Sequence, residues 1–199
     1  MDININRIIR ERRSHYPQEY TGEILPDAYI QQLLENANWA PNHTLNMPWR
    51  FKIITGAALL PWLDQAMAIY KSETPAEKYK EVKFKKMELY KSKISHAIAI
   101  VRQSDPEHKS KEWEDIAAVA CGVQNMYLSM SQYEHMAGYW STGLGTASKT
   151  MHAYLGLKEQ QTLMGYFITG HVAVKRTESS RKGVEGFATW FRQAQPDAQ

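Results

Sequence analysis

The sequence predicts a layered α/β (α+β) domain, and three observations lead to that prediction. Four short apolar or alternating stretches are typical of strands, and longer stretches with apolar residues at three- and four-residue steps separate them. One of the helical stretches, residues 116–133, carries no charged side chain, whereas a surface helix keeps a charged stripe. Strands that alternate with helices around one buried helix favour a sheet with helices packed on it.

The first quarter of the chain contains two helices, a loop and a strand. Residues 5–14 form a first helix with isoleucines along one side. A second helix begins after Pro26 and ends before Pro41, because proline is tolerated at a helix start but cannot continue a helix. Residues 42–48 are then an extended loop, and the alternating segment 49–55, β-branched towards its end, is predicted to be the first strand.

The rest of the chain continues the alternation. Its predicted elements are a helix over residues 59–67, buried strands over 96–101 and 136–140, a glycine turn over 141–145, a short helix ended by Gly156, a last central strand over 163–170 with 172–174, a basic tail over 175–182 and an extended or helical arm over 184–191. Thr146 or Ser148 is expected to cap the short helix, since hydroxyls accept from the first free amides of a helix.

A strongly charged segment over residues 71–93 interrupts this pattern. Apolar residues are interleaved with its charges, so one or two exposed amphipathic helices are expected, forming an excursion from the core. Its lysines raise the possibility of nucleic-acid binding. Glutamates occur among them at helix-pairing distances, which is typical of an ordinary solvated face and favours that simpler interpretation.

Length and composition favour one domain over residues 1–199. Of these residues 43% are apolar, enough for a sizeable core, and the net charge of +3 is too small and too dispersed for a nucleic-acid-binding face. The single Cys121 excludes an intrachain disulfide and fits a reducing, cytoplasmic compartment. The first residues lack a signal-peptide layout, and polar residues interrupt the uncharged segment 116–133, so no membrane association is expected.

The common catalytic and metal-binding motifs do not occur in the sequence. There is no GxSxG, HExxH, CxxC or phosphate-binding Walker loop, and no metal site is predicted. The sequence Arg12-Arg13-Ser14 has two interpretations: arginines that offset the negative end of a helix dipole, or forked donors that bind a phosphate. His43 likewise has two interpretations, a ligand-binding residue or ordinary polar surface, and a loop histidine is most often polar surface. Trp39 and Trp140 either pack in the core or stack on a flat ring.

Several short blocks together resemble the nitroreductase family of FMN flavoproteins. The blocks occur in the family's order over residues 7–174, and only the charged segment has no counterpart. They are Arg12-Arg13-Ser14, Ala37-Asn-Trp-Ala-Pro41, Pro48-Trp-Arg-Phe-Lys-Ile-Ile-Thr-Gly56, Ala120-Cys-Gly-Val-Gln-Asn125, Gly138-Tyr-Trp140, Leu155-Gly-Leu157 and Gly165-Tyr-Phe-Ile-Thr-Gly170.

This resemblance implies a nitroreductase-like fold with a central mixed sheet, flanking helices and one long central helix. It also implies an intertwined homodimer that binds FMN at the subunit interface. The residues implied to bind the cofactor are Arg12, Arg13 and Ser14 at the phosphate and ribityl end, Trp39 and His43 from the partner chain, Trp140, Ser141 and Thr142 along the ring or ribityl chain, and Arg181 as a late basic residue on the phosphate.

The implied activity is that of an NAD(P)H-dependent oxidoreductase. In such a ping-pong reaction NAD(P)H gives a hydride to flavin N5, and an electron-poor acceptor such as a nitroaromatic or a quinone is then reduced. FMN carries the chemistry, so no side chain is assigned as a catalytic acid or base. The protein orients the reactants and places donors near the ring edge that becomes anionic.

The sequence departs from the family pattern in two places, and alternatives remain open. Asn42, Leu45 and Met47 replace the Ser, Asn and Gln that many members carry before the Pro-Trp pair, and Tyr16 replaces a basic residue. Another acceptor, such as an enone, a pteridine or a halogenated aromatic, is therefore an alternative. A basic, non-enzymatic binding domain that acts through residues 71–93 is the alternative from a different class.

Overall fold

The computed structural model describes residues 4–105, 107, 109–190 and 192. Its helices are α1 (Ile5–Glu11), α2 (Asp27–Ala37), α3 (Leu59–Glu73), α4 (Glu81–Tyr90), α5 (Glu112–Ser129) and α6 (Lys149–Tyr154), and its strands are β1 (Trp49–Thr55), β2 (His96–Gln103), β3 (Met136–Ser141) and β4 (Gln161–His171). Each predicted helix is present, although α1 ends at Glu11 rather than at residue 14, and each predicted strand is present except the continuation over 172–174. The predicted capping by Ser148 is confirmed, because its hydroxyl accepts from the Met151 amide at 3.3 Å.

The four strands form one sheet in the order β1-β2-β4-β3, and every neighbouring pair is antiparallel. The α/β class is thus confirmed, but the described strands differ from the mixed sheet that was expected. The reason lies in the connections. Helix α5 links β2 to β3, which run in the same direction, and β4 lies between them and pairs antiparallel with both.

The core has two layers because strand side chains alternate between the two faces of the sheet. On one face Ala97, Ala99 and Val101 of β2 pack with α3, α4 and α6 around the buried Trp62. On the other face Ile98 and Ile100 pack with α2 and α5. Strand β2 is buried on both faces, in agreement with its continuous apolar sequence. The fold is therefore a sheet between two helical layers.

The long helix α5 is buried on one side only. Val119, Val123 and Met126 face the sheet and α2, whereas a second stripe faces outward. The outward residues are uncharged from position 116 onward, namely Ile116, Ala117, Cys121 and Gln124. The sequence predicts that this helix is buried in a core or an interface. Within one chain the inner face is buried as predicted, and the uncharged outer face is exposed.

The charged segment is less separate from the core than expected. Helix α4 packs on α3 through the buried Met87, while Lys83, Lys85 and Lys86 are exposed. The tail after β4 is irregular except for a 3₁₀ turn at Val184–Gly186, and the predicted strand over 172–174 is absent from the described tail. Residue 191, at the end of the predicted arm, lies outside the described residues. No helix within the described ranges is long and apolar enough to cross a membrane.

Candidate ligand site beside the central helix

A pocket of about 540 Å³ lies between α1, the end of α5, the start of β3 and the tail after β4. Its volume lies in the range of small-molecule sites. It has an apolar floor and a charged rim. The floor includes Ile8, Tyr127, Met130, Met136 and Ala137, and the rim includes Arg7, Glu11, Arg12, Arg13, His15, Lys175 and Arg176.

The rim carries an excess of positive charge. Among the described lining residues there are five arginine and lysine side chains and one carboxylate, that of Glu11. The carboxylate of Glu11 pairs with Arg7 at 3.6 Å, on the exposed outer side of α1. Arg176 pairs with Glu19 at 2.9 Å. The pocket therefore favours an anionic ligand, because Arg12 and Arg13 form no ion pair with any described residue.

Arg12 and Arg13 differ in what their guanidinium groups already bind. The Arg13 guanidinium donates to three carbonyl oxygens, those of Arg10 and Arg12 at 2.6 Å and that of Glu178 at 2.9 Å. It thereby ties the end of α1 to the tail. The Arg12 guanidinium lies over the Tyr127 ring, 4.8 Å from its centroid, and donates to no side chain or carbonyl in the described ranges. Arg12 is thus the arginine whose donors are available to an anion.

Ser14 and Trp140 meet at the hydroxyl of Tyr127. The Trp140 amide donates to the Tyr127 oxygen at 2.6 Å, and the Ser14 oxygen lies 3.3 Å from the same atom. Strand β3 is one of the two edge strands of the described sheet, so its outward amides and carbonyls need partners. The His15 amide donates to the Gly138 carbonyl at 3.2 Å on this edge. The segment after α1 and the Tyr127 hydroxyl together cover the edge.

Ser141 and Thr142 follow Trp140 at the end of β3, and their surroundings are more open. The Ser141 hydroxyl accepts from the Gly143 amide at 3.3 Å and so shapes the following turn. Thr142 is exposed. The Trp140 indole donates to the Met164 carbonyl at 3.0 Å, which fixes its ring against β4. These three residues are close together, and Tyr127 links them to Ser14.

Two titratable groups in the pocket have pKa values lowered mainly by burial. The Lys175 ammonium donates to the carbonyls of Met130 and Tyr133, and burial lowers its pKa to about 8. His15 is only 3% exposed, and desolvation lowers its pKa below the ordinary value. The amide of Arg176 donates to His15 Nε2 at 2.9 Å, so the neutral ring carries its proton on Nδ1, and Nδ1 has no partner in the described ranges.

Trp39 and His43 lie on the other side of α5 from this pocket. The Asn125 side chain contacts α2 through the Asn36 carbonyl at 3.0 Å, whereas Tyr127 contacts Arg12 and Ser14. Positions 125 and 127 are about 200° apart around a helix, so α5 stands between α2 and the Arg12 segment. One chain therefore does not bring Trp39 or His43 to the pocket.

The remaining predicted residue, Arg181, is exposed, and among the described residues its side chain donates only to its neighbours, the Ser179 hydroxyl and the Ser180 carbonyl. The structure adds residues that the sequence interpretation did not assign to the site. In the sequence Tyr127 is one apolar position of a helical pattern, and Lys175 and Arg176 are part of a basic tail, so neither pattern indicates a site. His15 follows Ser14 directly, which is the one sequence signal for it. The described ranges contain no cluster of three histidine, cysteine or acidic residues suited to a metal ion.

Sequence comparison gives one family and one curated relative. The model of the nitroreductase family matches residues 9–171. The protein YfhC of Bacillus subtilis (strain 168), provisionally named an NAD(P)H nitroreductase, is 28% identical over 124 residues. That alignment covers 61% of this chain and 60% of the relative, so the chain matches somewhat less than two thirds of the length of YfhC.

Comparison with solved structures shows the fold. A nitroreductase-like family protein from Bacillus cereus superposes with a TM-score of 0.80 at 22% identity, over 97% of this chain and 98% of that one. A protein from Desulfovibrio desulfuricans, provisionally named a nitroreductase and crystallised with FMN, has a TM-score of 0.73 at 22% identity, over 98% and 100%. The FMN-dependent nitroreductase NfnB from Mycobacterium smegmatis, in complex with NADPH, has a TM-score of 0.73 at 15% identity, over 94% and 97%.

Proposed function

The chain belongs to the nitroreductase family, and from that premise we propose that it is an FMN-dependent NAD(P)H oxidoreductase. Its relatives include an NAD(P)H nitroreductase by name, a structure with FMN and a structure with NADPH, and these support this cofactor and this donor. The observation that carries the proposal is the free guanidinium of Arg12, held over Tyr127 at the rim of a cationic pocket.

The residues of the pocket fit FMN chemically. A flavin mononucleotide has a dianionic phosphate at one end and a flat, largely apolar ring at the other. The cations on the rim match the phosphate, and Arg12 presents forked donors with no competing partner in the described ranges. The apolar floor, with its aromatic Tyr127, and the adjacent Trp140 match the ring system.

Each group then has a role in holding the cofactor. Arg12 and Ser14 bind the phosphate and ribityl end, and Arg13 contributes charge while it fixes the tail through three carbonyls. Trp140, Ser141 and Thr142 lie along the ring or ribityl chain, and Arg181 reaches the phosphate from the tail. When bound, FMN supplies hydride transfer through N5, from NAD(P)H and then to the acceptor. The protein orients both reactants and needs no dedicated acid or base.

The acceptor that we propose is electron-poor, such as a nitroaromatic or a quinone. An enone, a pteridine or a halogenated aromatic is the second candidate, because the departures at Asn42, Leu45 and Met47 mean that the acceptor of no single family member carries over to this chain. Leu45 is 78% exposed in one chain and is thus available to a ligand or a second subunit.

We propose further that the protein is a homodimer with FMN at the subunit interface. The uncharged outer face of α5 supports this, because the exposed side chains of Ile116, Ala117 and Cys121 on it are apolar, and exposed apolar surface marks interaction sites. Near it the loop after α2 exposes Leu45 and Met47, and Trp39 is 85% exposed. Because α5 separates Trp39 and His43 from Arg12 within one chain, those two residues join the site from a second copy.

The organisation of the chain is part of the same proposal. We treat residues 1–199 as one FMN-binding domain, with α4 as a local elaboration. The free thiol of Cys121, exposed in the single chain, is compatible with a cytoplasmic protein. No nucleic-acid or membrane partner is included in the proposal.

The test is the visible spectrum of the purified protein, followed by titration with FMN. We expect flavin bands that shift on binding, and NAD(P)H oxidation that depends on a nitroaromatic or quinone. A protein that stays colourless and gains no bound-flavin bands with excess FMN would overturn the proposal. A panel of acceptors assayed with NADH and with NADPH then identifies the acceptor class and the preferred donor.

The same preparation tests the non-enzymatic alternative. The exposed lysines of α4 would give strong retention on DNA that falls steeply with salt. We expect weak retention, because glutamates at positions 81 and 88 lie on the same helix.

A further inference from the structure

Tyr127 connects three of the residues that are proposed to bind the cofactor. Its ring supports the Arg12 guanidinium at 4.8 Å, and its hydroxyl contacts Ser14 at 3.3 Å and the Trp140 amide at 2.6 Å. The ring itself is fixed from below, edge-on to Phe167 with centroids 4.7 Å apart. Helix α5 thus carries one side chain that contacts both the phosphate-binding segment and the edge of β3.

The direction of these hydrogen bonds follows from the donors available. A backbone amide can only donate, so the Tyr127 oxygen accepts from Trp140. The phenol proton is then directed to Ser14, whose oxygen is within reach. A phenol is also a better donor than a serine hydroxyl because it is the stronger acid. At this distance either oxygen can donate; in the arrangement favoured by acidity the phenol donates, Ser14 accepts, and the proton of Ser14 points elsewhere.

The Ser14 backbone is held from the other side. The Arg176 guanidinium donates to the Ser14 carbonyl at 2.8 Å and pairs with Glu19. With both its oxygens engaged as acceptors, Ser14 retains one free donor, the hydroxyl hydrogen. Ser14 lies in the chain between Arg13 and His15, which line the pocket, and both Ser14 and the Arg12 guanidinium contact Tyr127.

We propose that Tyr127 is a positioning residue that makes Ser14 a donor to an anionic oxygen of FMN. The inference rests on the proposed function and deepens it. The donor sequence runs from the Trp140 amide to the Tyr127 hydroxyl, then to the Ser14 hydroxyl and on to the ligand. Each bond polarises the next, so the last donor is strengthened.

The test is a double-mutant cycle on FMN affinity with Tyr127→Phe and Ser14→Ala. Tyr127→Phe retains the ring under Arg12 and removes only the hydroxyl. We expect it to weaken FMN binding about fivefold, the ordinary net effect of one hydrogen bond. In the Ser14→Ala background we expect the same substitution to change FMN affinity less than twofold. Affinity is measured by quenching of flavin fluorescence, which does not depend on turnover.

A structural role alone gives a different result. If Tyr127 only supported the edge of β3, Tyr127→Phe would lower the melting temperature and weaken FMN binding equally in both backgrounds. Additive effects of that kind would overturn the proposal. Tyr133→Phe is the matched control, since Tyr133 lies six residues further on, stacked on Tyr29 at 3.9 Å. It should leave FMN affinity unchanged.

A second variant keeps the experiment decisive if Tyr127→Phe folds poorly. Fluorotyrosine at position 127 preserves the shape and makes the phenol a stronger donor. Tighter FMN binding than wild type is expected with Ser14 present, and no change is expected with Ser14→Ala. If fluorotyrosine left FMN affinity unchanged both with Ser14 present and with Ser14→Ala, the positioning role would be refuted. If wild type itself binds no FMN, the proposed function fails instead, so the two failures are distinguishable.

Discussion

Replacing Arg12 by alanine should remove FMN binding more than any other single change at the pocket rim. The Arg12 guanidinium is the arginine group whose donors are free in the described structure, and it lies over Tyr127 at 4.8 Å. A charge-assisted hydrogen bond contributes about 1.5–3 kcal/mol net. Loss of one such bond corresponds to a decrease in FMN affinity of about 10- to 150-fold.

The assay is fluorescence titration of FMN, with sedimentation to monitor the proposed dimer. Arg10→Ala is the matched control, because Arg10 is an exposed arginine near the end of the same helix and does not line the pocket. Arg13→Ala should mainly free the tail, since its donors already bind three carbonyls. The double variant Arg12→Ala with Arg13→Ala should lose FMN while the dimer persists. Unchanged flavin affinity in Arg12→Ala would refute the phosphate-binding role.

Three further predictions concern the proposed subunit interface, the packing of Gly165 against Trp140 and Ser141, and the pH dependence of FMN binding. Ala117→Glu, on the outer face of α5, should convert the dimer to monomer in sedimentation at micromolar concentration, whereas Val82→Glu on exposed α4 should not. Gly165→Ala should lower the melting temperature and FMN affinity together, because its φ is +127° and a Cβ would lie 2.4 Å from the Ser141 carbonyl oxygen and 2.6 Å from Trp140 Nε1; a wild-type melting curve would contradict this. Burial lowers the pKa of Lys175 to about 8, so the side chain is charged below that pH. Because the FMN phosphate stays dianionic there, FMN affinity should fall as pH rises through 8. Lys175→Met should abolish this pH dependence. In the apoprotein the same lowered pKa means that stability contributed by Lys175 is complete above pH 10.5 and is lost as pH falls through about 8.

Local sequence patterns were sufficient to predict the main helices and strands. The β-branched, alternating segment 49–55 and the continuous apolar segment at 96–101 correspond to β1 and the first part of β2. Apolar spacing gave α5, and the proline at position 41 correctly limited α2. These features are local, because hydrogen bonding and side-chain alternation within a few residues determine them. Strand order is not local, and the antiparallel insertion of β4 between β2 and β3 depends on packing across the whole sheet.

The same division holds for the candidate site. The sequence singled out Arg12, Arg13 and Ser14 by residue type, but it did not distinguish the guanidinium that is free from the one that binds carbonyls. The sequence also grouped Trp39 and His43 with these residues, whereas within one chain α5 lies between Trp39 and His43 on one side and Arg12 on the other.

What the sequence by itself determined is the set of helices and strands, the family and the arginines suited to an anion. Tertiary structure alone decided that Tyr127, 113 residues from Ser14, joins that residue to Trp140. It also decided that burial lowers the pKa of Lys175 and that one face of α5 remains uncovered. The physical reason is that contacts, burial and donor direction depend on which surfaces meet after folding, whereas periodicity depends only on neighbours along the chain.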